Sequence, residues 1–136
     1  MTQSLKFINP DSLGPGRGYS NGVLVPLNGK LLFIAGQIAW DGQQRIVSSN
    51  FVEQFDRALA NVITIVEEAG GKPEQIARLV IYVTDKSEYR SHTREIGQRW
   101  RARMGHHYPA MALVEVKSLL EDEAKVEIEG TAVIAD

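Results

Sequence analysis

The chain has 136 residues, of which 43% are hydrophobic and 24% charged, with a formal net charge of −2 and no cysteine. This length suits one domain, residues 1–136, and the composition is that of a globular rather than a disordered protein. The lack of cysteine excludes disulfides, a thiolate nucleophile and a cysteine-based zinc site. The negative net charge gives no overall attraction to nucleic acid, so that class of partner is not expected.

The first residues and the apolar runs of the sequence do not predict a membrane role. Residues 1–4 lack the basic and apolar regions of a secretory signal, and the longest apolar runs, such as residues 31–36, fall far short of the roughly 20 residues that a bilayer span needs. We therefore expect a cytoplasmic protein with no membrane partner.

The N-terminal third predicts strands and a loop. Residues 5–8 indicate a short extra strand, and the Pro- and Gly-rich segment 10–18 indicates a loop. The pair Asn28-Gly29 separates two apolar runs, residues 23–27 and 31–36, and is typical of a two-residue type I′ turn. This pattern predicts a β-hairpin.

Two amphipathic helices follow. Asn50 precedes a capping pattern with Glu53, and apolar residues recur at helical spacing until Gly70. After a strand at residues 77–84, a second helix is predicted from Asp85 to a stop at Gly105. Two further strands, residues 110–116 and 124–134, complete a β-β-α-β-α-β-β order, which predicts an α+β fold with both helices on one face of a mixed sheet.

The strand patterns predict self-association. Two helices cover one face of such a sheet, yet the strand at residues 110–116 alternates apolar residues on both faces. If about eight apolar side chains on the helix-free face stayed exposed to water, hydrophobic stabilisation of order 10 kcal/mol would be lost, which is comparable to the whole stability of a domain. A closed homo-oligomer is the usual solution.

Several segments in this order resemble the Rid/YjgF family, the reactive-intermediate deaminases also known as liver perchloric-acid-soluble proteins or endoribonucleases. The resemblance covers nearly the whole chain, and each segment is weak alone but specific in combination. The segments are Gly18-Tyr19-Ser20-Asn21-Gly22-Val23, Phe33-Ile34-Ala35-Gly36-Gln37-Ile38, Ile81-Tyr82-Val83-Thr84-Asp85, Tyr108-Pro109-Ala110, Val114-Glu115-Val116 and Val126-Glu127-Ile128-Glu129-Gly130-Thr131-Ala132.

The resemblance implies a chorismate-mutase-like fold and a homotrimer with a central barrel of sheets and three intersubunit clefts. It also implies hydrolysis of an enamine or imine, such as 2-aminoacrylate, to a 2-oxo acid and ammonia, without metal or cofactor. A glutamate on the last strand, here Glu127, would position the attacking water. In the family, an arginine binds the substrate carboxylate, and Met111 takes its place here. In this respect the chain resembles a divergent group of the family that is linked to aminomuconate-type intermediates.

The carboxylates Glu127 and Glu129 lie two residues apart on one strand and therefore share a face with Thr131. A pair of carboxylates could hold a water, and the resemblance of the last strand to the family's terminal segment favours Glu127 as the catalytic residue. The competing interpretation, that both are solvated side chains on an exposed strand, stays open.

The remaining candidates are substrate-binding residues. Arg17 could replace the missing carboxylate clamp from a different direction, and Tyr19 could shape the pocket; a surface loop is the alternative. Gly36 and Gln37 end a strand at a point where the backbone can approach a small ligand closely. The alternative is an ordinary strand end that has room only for a small residue. Met111 and Leu113 could form an apolar wall of the cleft, although simple packing explains them equally well. His106 and His107 lack the spacing of a metal site, so no metal is predicted.

Two classes of function follow. The first is a cofactor-free hydrolytic deaminase that acts on a 2-aminoacrylate- or aminomuconate-like small molecule at an intersubunit cleft, with Glu127 positioning water. The second is a non-catalytic small-molecule-binding protein, which Met111 favours. Endoribonuclease activity is the least supported, because the net charge is negative and no stacking platform of exposed aromatic residues is predicted.

Overall fold

The computed structural model describes residues 5–136. A small two-stranded sheet pairs β1 (Lys6–Ile8) with β2 (Gly22–Leu24) in antiparallel register. Strand β1 confirms the short N-terminal strand that the sequence predicts. Within the described residues, no helix is long and apolar enough to cross a membrane.

The main sheet is mixed and has four strands in the order β3-β6-β4-β5. The pair β4–β5 is parallel, whereas β6 runs antiparallel to both of its neighbours. The strands are β3 (Lys30–Gln37), β4 (Ile76–Val83), β5 (Ala110–Glu115) and β6 (Val126–Ile134).

The predicted hairpin around Asn28-Gly29 is wrong. Strand β2 pairs with β1 and strand β3 pairs with β6, so the two apolar runs do not pair with each other. A type I′ turn needs positive φ at both central residues, and neither Asn28 nor Gly29 adopts it. Pro26 also lacks the N–H that would continue a ladder toward the turn.

The first helix, α1 (Phe51–Glu68), is confirmed as predicted. The side chain of Asn50 accepts a hydrogen bond of 3.0 Å from the backbone N–H of Glu53, which satisfies one of the free donors at the helix start. Its apolar stripe packs on the sheet, and Phe55, Leu59 and Val62 are almost fully buried.

The second predicted helix is interrupted and forms α2 (Lys86–Ser91) and α3 (Thr93–Met104). The break lies at His92, whose ring Nδ1 donates to the carbonyl oxygen of Glu88 at 2.7 Å. That oxygen would otherwise accept the backbone N–H of His92, which instead donates to Tyr89 O at 3.1 Å. The Glu88 carboxylate does not contact the His92 ring and instead contacts Lys125 Nζ at 3.3 Å. Gly105 ends α3 with φ 62°, as predicted.

The helices cover one face of the main sheet, which confirms the predicted α+β class. Helix α1 packs on β3 and β6, and α3 packs on α1. The core contains alternate residues of β6, including Val126, Ile128 and Ala132. The intervening residues of β6, Glu127 and Glu129, therefore point to the helix-free face of the sheet.

Candidate functional site

The loop before β2 lies along the free edge of β5. Ser20 donates its backbone N–H to Pro109 O at 3.1 Å and its hydroxyl to Tyr108 O at 2.6 Å. Gly18 has φ 74°, a left-handed conformation that favours glycine. This attachment carries Arg17 and Tyr19 toward the start of β5, although both side chains remain exposed.

Four of the predicted substrate-binding residues line one small cavity. Arg17, Tyr19, Met111 and Leu113 surround a space of about 120 Å³, whose other lining residues are Gly18, Ile81, Tyr89 and Ala112. We call this space the edge cavity. Met111 and Leu113 are partly buried against the hydrophobic core, so they form its apolar wall from the helix-covered side of the sheet.

A second cavity adjoins the first. It has a volume of about 300 Å³ and shares Gly18, Ile81, Tyr89 and Met111 with the edge cavity. Its other lining residues come mostly from α1 and α3 and are Phe55, Thr93, Ile96, Gly97, Trp100, Arg101 and Tyr108. We call this space the aromatic cavity. This cavity could not be predicted from the sequence, because Tyr89, Ile96 and Trp100 recur at a spacing that is also typical of the packing face of a helix.

Glu127 and Gly36 lie together on the helix-free face. A Cβ atom at Gly36 would lie 2.6 Å from Glu127 Oε1, so a larger residue here would displace this carboxylate from its position. A bulge between Ile34 and Gln37 shifts the pairing of β3 with β6 at this point. The Gln37 amide donates to Ala35 O at 3.0 Å, and it does not reach Glu127.

Glu129, the second candidate carboxylate, has a hydrogen-bond partner, whereas Glu127 has none in the described part of the chain. The hydroxyl of Tyr82 donates a short hydrogen bond to Glu129 Oε1. This bond, with burial and the negative charge of Glu129 acting in the same direction, raises the pKa of Tyr82 above its usual value. Within residues 5–136, Glu127 has no side-chain hydrogen bond or ion pair, which leaves its carboxylate available to a ligand or water.

The structure therefore brings the predicted site residues together in two groups rather than one. On β4, Tyr82 pairs with Glu127 of β6, and Leu79 pairs with Met111 of β5. Glu127 and Met111 are therefore two strands apart across the sheet and three residues apart along it. These offsets are each about 10 Å, and Glu127 lies on the opposite face from Met111. One small ligand cannot contact both groups within a single chain.

His107, one of the two adjacent histidines, has a structural role. Its side chain is buried, and Nε2 donates to Ile76 O at 2.7 Å. Its carbonyl oxygen accepts a hydrogen bond of 3.1 Å from the Trp100 indole. These contacts hold the segment that leads into β5 and fix one wall of the aromatic cavity.

Comparisons with known proteins agree with this architecture. The family model described as Endoribonuclease L-PSP matches residues 10–134. A RutC family protein of Aquifex aeolicus is 38% identical, with 91% of this chain and 92% of that protein covered. A Salmonella typhimurium protein named 2-iminobutanoate/2-iminopropanoate deaminase is 32% identical, with 91% of each chain covered.

Solved structures give the same result. A protein of unknown function from Yersinia pestis, YyfB of the Rid family, superposes with a TM-score of 0.85 at 30% identity, covering 96% of this chain and 98% of that one. The Escherichia coli YjgF gene product superposes with a TM-score of 0.67 at 30% identity, covering 92% of each chain. With a family model matched over most of its length, the chain belongs to the Rid/YjgF family.

Proposed function

We propose that this protein is a cofactor-free hydrolytic deaminase of 2-imino acids or their enamine tautomers, of the 2-aminoacrylate or aminomuconate type. The observation that carries the proposal is the carboxylate of Glu127, which lies against Gly36 without a partner within residues 5–136. An unpartnered carboxylate can accept a proton from water and orient its oxygen toward an imine carbon. The deaminase name of the Salmonella typhimurium relative supports the same reaction class.

The proposed site needs two subunits. Glu127 and the edge cavity lie on opposite faces of one sheet, so the carboxylate of one chain would act on a ligand in the edge cavity of another. The helix-free face exposes large apolar side chains, with Leu31 at 59%, Phe33 at 75% and Val114 at 42% relative exposure. Burial of these side chains between copies would stabilise an oligomer, and we propose a homotrimer with one cleft at each interface.

In this cleft Arg17 and Tyr19 bind the substrate, Met111 and Leu113 form the apolar wall, and Gly36 and its neighbour Gln37 admit the ligand beside the catalytic carboxylate. Arg17 supplies the positive charge that Met111 lacks. Its guanidinium has no ion-pair partner within the described chain, so it can bind a carboxylate.

The first experiment is to measure ammonia release from freshly generated 2-aminoacrylate and 2-aminomuconate. Removing a general base typically costs a factor of about 10² to 10⁴ in rate, so Glu127→Gln should lower turnover at least 100-fold. The matched control is Glu129→Gln, which changes the same strand and face but a carboxylate already bound by Tyr82; we expect a much smaller loss.

A non-catalytic binding protein is the second candidate, and Met111 favours it because methionine cannot bind a carboxylate. Turnover of neither substrate by the wild-type protein would reject deamination of these two substrates and favour a binding protein, or an enzyme whose substrate lies outside this class. The variant Met111→Arg then separates the two further. If Met111→Arg creates deaminase activity that the wild-type protein lacks, the wild-type protein is a non-catalytic binding protein that has lost the residue needed to bind the substrate carboxylate.

A further inference from the structure

The aromatic cavity is large enough for a ligand side chain and has buried apolar walls. Its volume of about 300 Å³ lies at the lower end of the range for small-molecule pockets. Phe55, Ile96 and Trp100 are buried in its walls. The rings of Trp100 and Tyr108 stack with centroids 6.2 Å apart and planes inclined by 6°, so they form one aromatic block.

Both cavities are positively charged. The residues that line them include no aspartate or glutamate, and each cavity has one arginine, Arg17 in the edge cavity and Arg101 in the aromatic cavity. Arg101 folds back over the preceding turn of α3, where its Nη1 lies 3.4 Å from the position that a Cβ at Gly97 would take. Neither arginine has an ion-pair partner among residues 5–136.

The two cavities join at Met111 and Tyr89, which line both. A ligand that extends from one to the other would carry its anionic group beside Arg17 and an apolar group among Phe55, Trp100 and their neighbours. Met111 suits this junction, because its unbranched side chain is flexible and its thioether packs favourably on aromatic rings.

We infer that the aromatic cavity is the side-chain pocket of the cleft and selects 2-imino acids, and the corresponding 2-oxo acids, that bear a flat aromatic side chain. The inference rests on the proposed function for the reaction but not for the binding. The ring lies in the aromatic cavity, with the Arg101 guanidinium against its face, and the carboxylate lies beside Arg17. Water adds its oxygen to the imine carbon, the C=N bond breaks and the nitrogen leaves as ammonia, so no oxidant or reductant is needed.

The test compares two substrates in three variants. An amino-acid oxidase generates the imines of phenylalanine and alanine in place, and their hydrolysis is measured in competition with a semicarbazide trap. Gly97→Leu places a branched side chain in the aromatic cavity, whereas Gly97→Ala adds only a Cβ that meets the movable end of Arg101. The control Gln98→Leu adds the same side chain to the exposed neighbour on α3.

We expect wild-type protein to prefer the phenylalanine imine, and Gly97→Leu to lower the phenylalanine-to-alanine ratio of kcat/KM at least tenfold. Gly97→Ala should lower it much less, and Gln98→Leu should leave it unchanged. Hydrolysis of the alanine imine alone would overturn the pocket inference and leave the deaminase proposal standing, as would an equal effect of Gly97→Leu on both substrates.

Binding of phenylpyruvate and pyruvate, measured by calorimetry, separates the pocket from the reaction. If neither imine is hydrolysed but phenylpyruvate binds at least tenfold more tightly than pyruvate, and Gly97→Leu removes this difference, the pocket inference stands and the deaminase proposal falls. Equal binding of the two 2-oxo acids would overturn the pocket inference.

Discussion

The two faces of the main sheet differ in what covers them within one chain. On the helix-covered face, Leu79, Val126 and Ile128 are fully buried in the hydrophobic core. On the opposite face, Leu31 and Phe33 remain largely exposed, and charged residues such as Glu127 lie among them. One face is therefore complete as a core, whereas the other has the mixture of apolar and functional groups that is typical of a site formed between copies.

The largest expected effect is on the helix-free face. Phe33→Glu would place a carboxylate in the proposed interface, and an unpaired buried charge costs several kcal/mol per subunit. We expect the oligomer to dissociate to monomers with unchanged circular dichroism, and deaminase turnover to disappear with it. Sedimentation velocity measures the mass. The control Thr64→Glu adds the same charge to the exposed surface of α1. An oligomer that persists in Phe33→Glu would contradict the proposed interface.

The next effect concerns the helix-covered face. Leu59→Ala removes a fully buried side chain and should lower the free energy of unfolding by about 2–5 kcal/mol. Its counterpart is Leu31→Ala on the opposite face, where the side chain is exposed in one chain. Urea unfolding at two protein concentrations distinguishes them, because the cost of Leu31→Ala should vanish in dilute, monomeric protein. An equal cost of both variants in monomers would show that the two faces do not differ as described.

A smaller effect is expected at Asp56, which joins α1 to α3. Its carboxylate accepts from Arg103 Nε at 2.6 Å and from Arg99 Nη1 at 3.0 Å. The hydrogen bond from Arg103, with the charges of both arginines, lowers the pKa of Asp56. Asp56→Asn should cost about 1 kcal/mol at neutral pH.

The pH dependence of this pair has a definite sign. A carboxyl group whose pKa is lower in the folded protein stabilises it above the unfolded value of 3.8, and this contribution is lost as the pH falls through the folded pKa. The difference in unfolding free energy between wild type and Asp56→Asn should therefore shrink as the pH falls below 3.8. A difference that stays constant as the pH falls would show that the charge does not stabilise the helix pair.

The smallest effect concerns Tyr82 on the helix-free face. The hydrogen bond from Tyr82 to Glu129 raises the pKa of Tyr82 in the folded protein. The stabilisation that this bond contributes is therefore complete below pH 10 and is lost as the pH rises through the folded pKa. In an absorbance titration, Tyr82 should ionise above pH 10, and Glu129→Gln should bring its titration back toward 10. A titration that Glu129→Gln does not change would exclude this carboxylate as the cause.

Local patterns predicted the elements well but failed where two signals competed. The Asn50 cap and the apolar stripe of α1 are properties of neighbouring residues, so the sequence determines them. The Asn28-Gly29 signal is equally local, yet β3 takes β6 as its partner. A turn contributes little compared with the ladder and burial that β3 gains beside the long central strand β6. The break at His92 depends on one side chain competing for one carbonyl oxygen, which periodicity does not reveal.

The sequence by itself determined the fold class, the family and the strand face that Glu127 shares with Glu129, because strand alternation and motif order are linear properties of the chain. Only the tertiary structure decided which candidates meet. It grouped Arg17, Tyr19, Met111 and Leu113 around one cavity and separated them from Glu127 and Gly36 by the thickness of the sheet. It also opened the aromatic cavity between α3 and β5, since a cavity depends on how distant segments pack, and residue spacing does not record such packing.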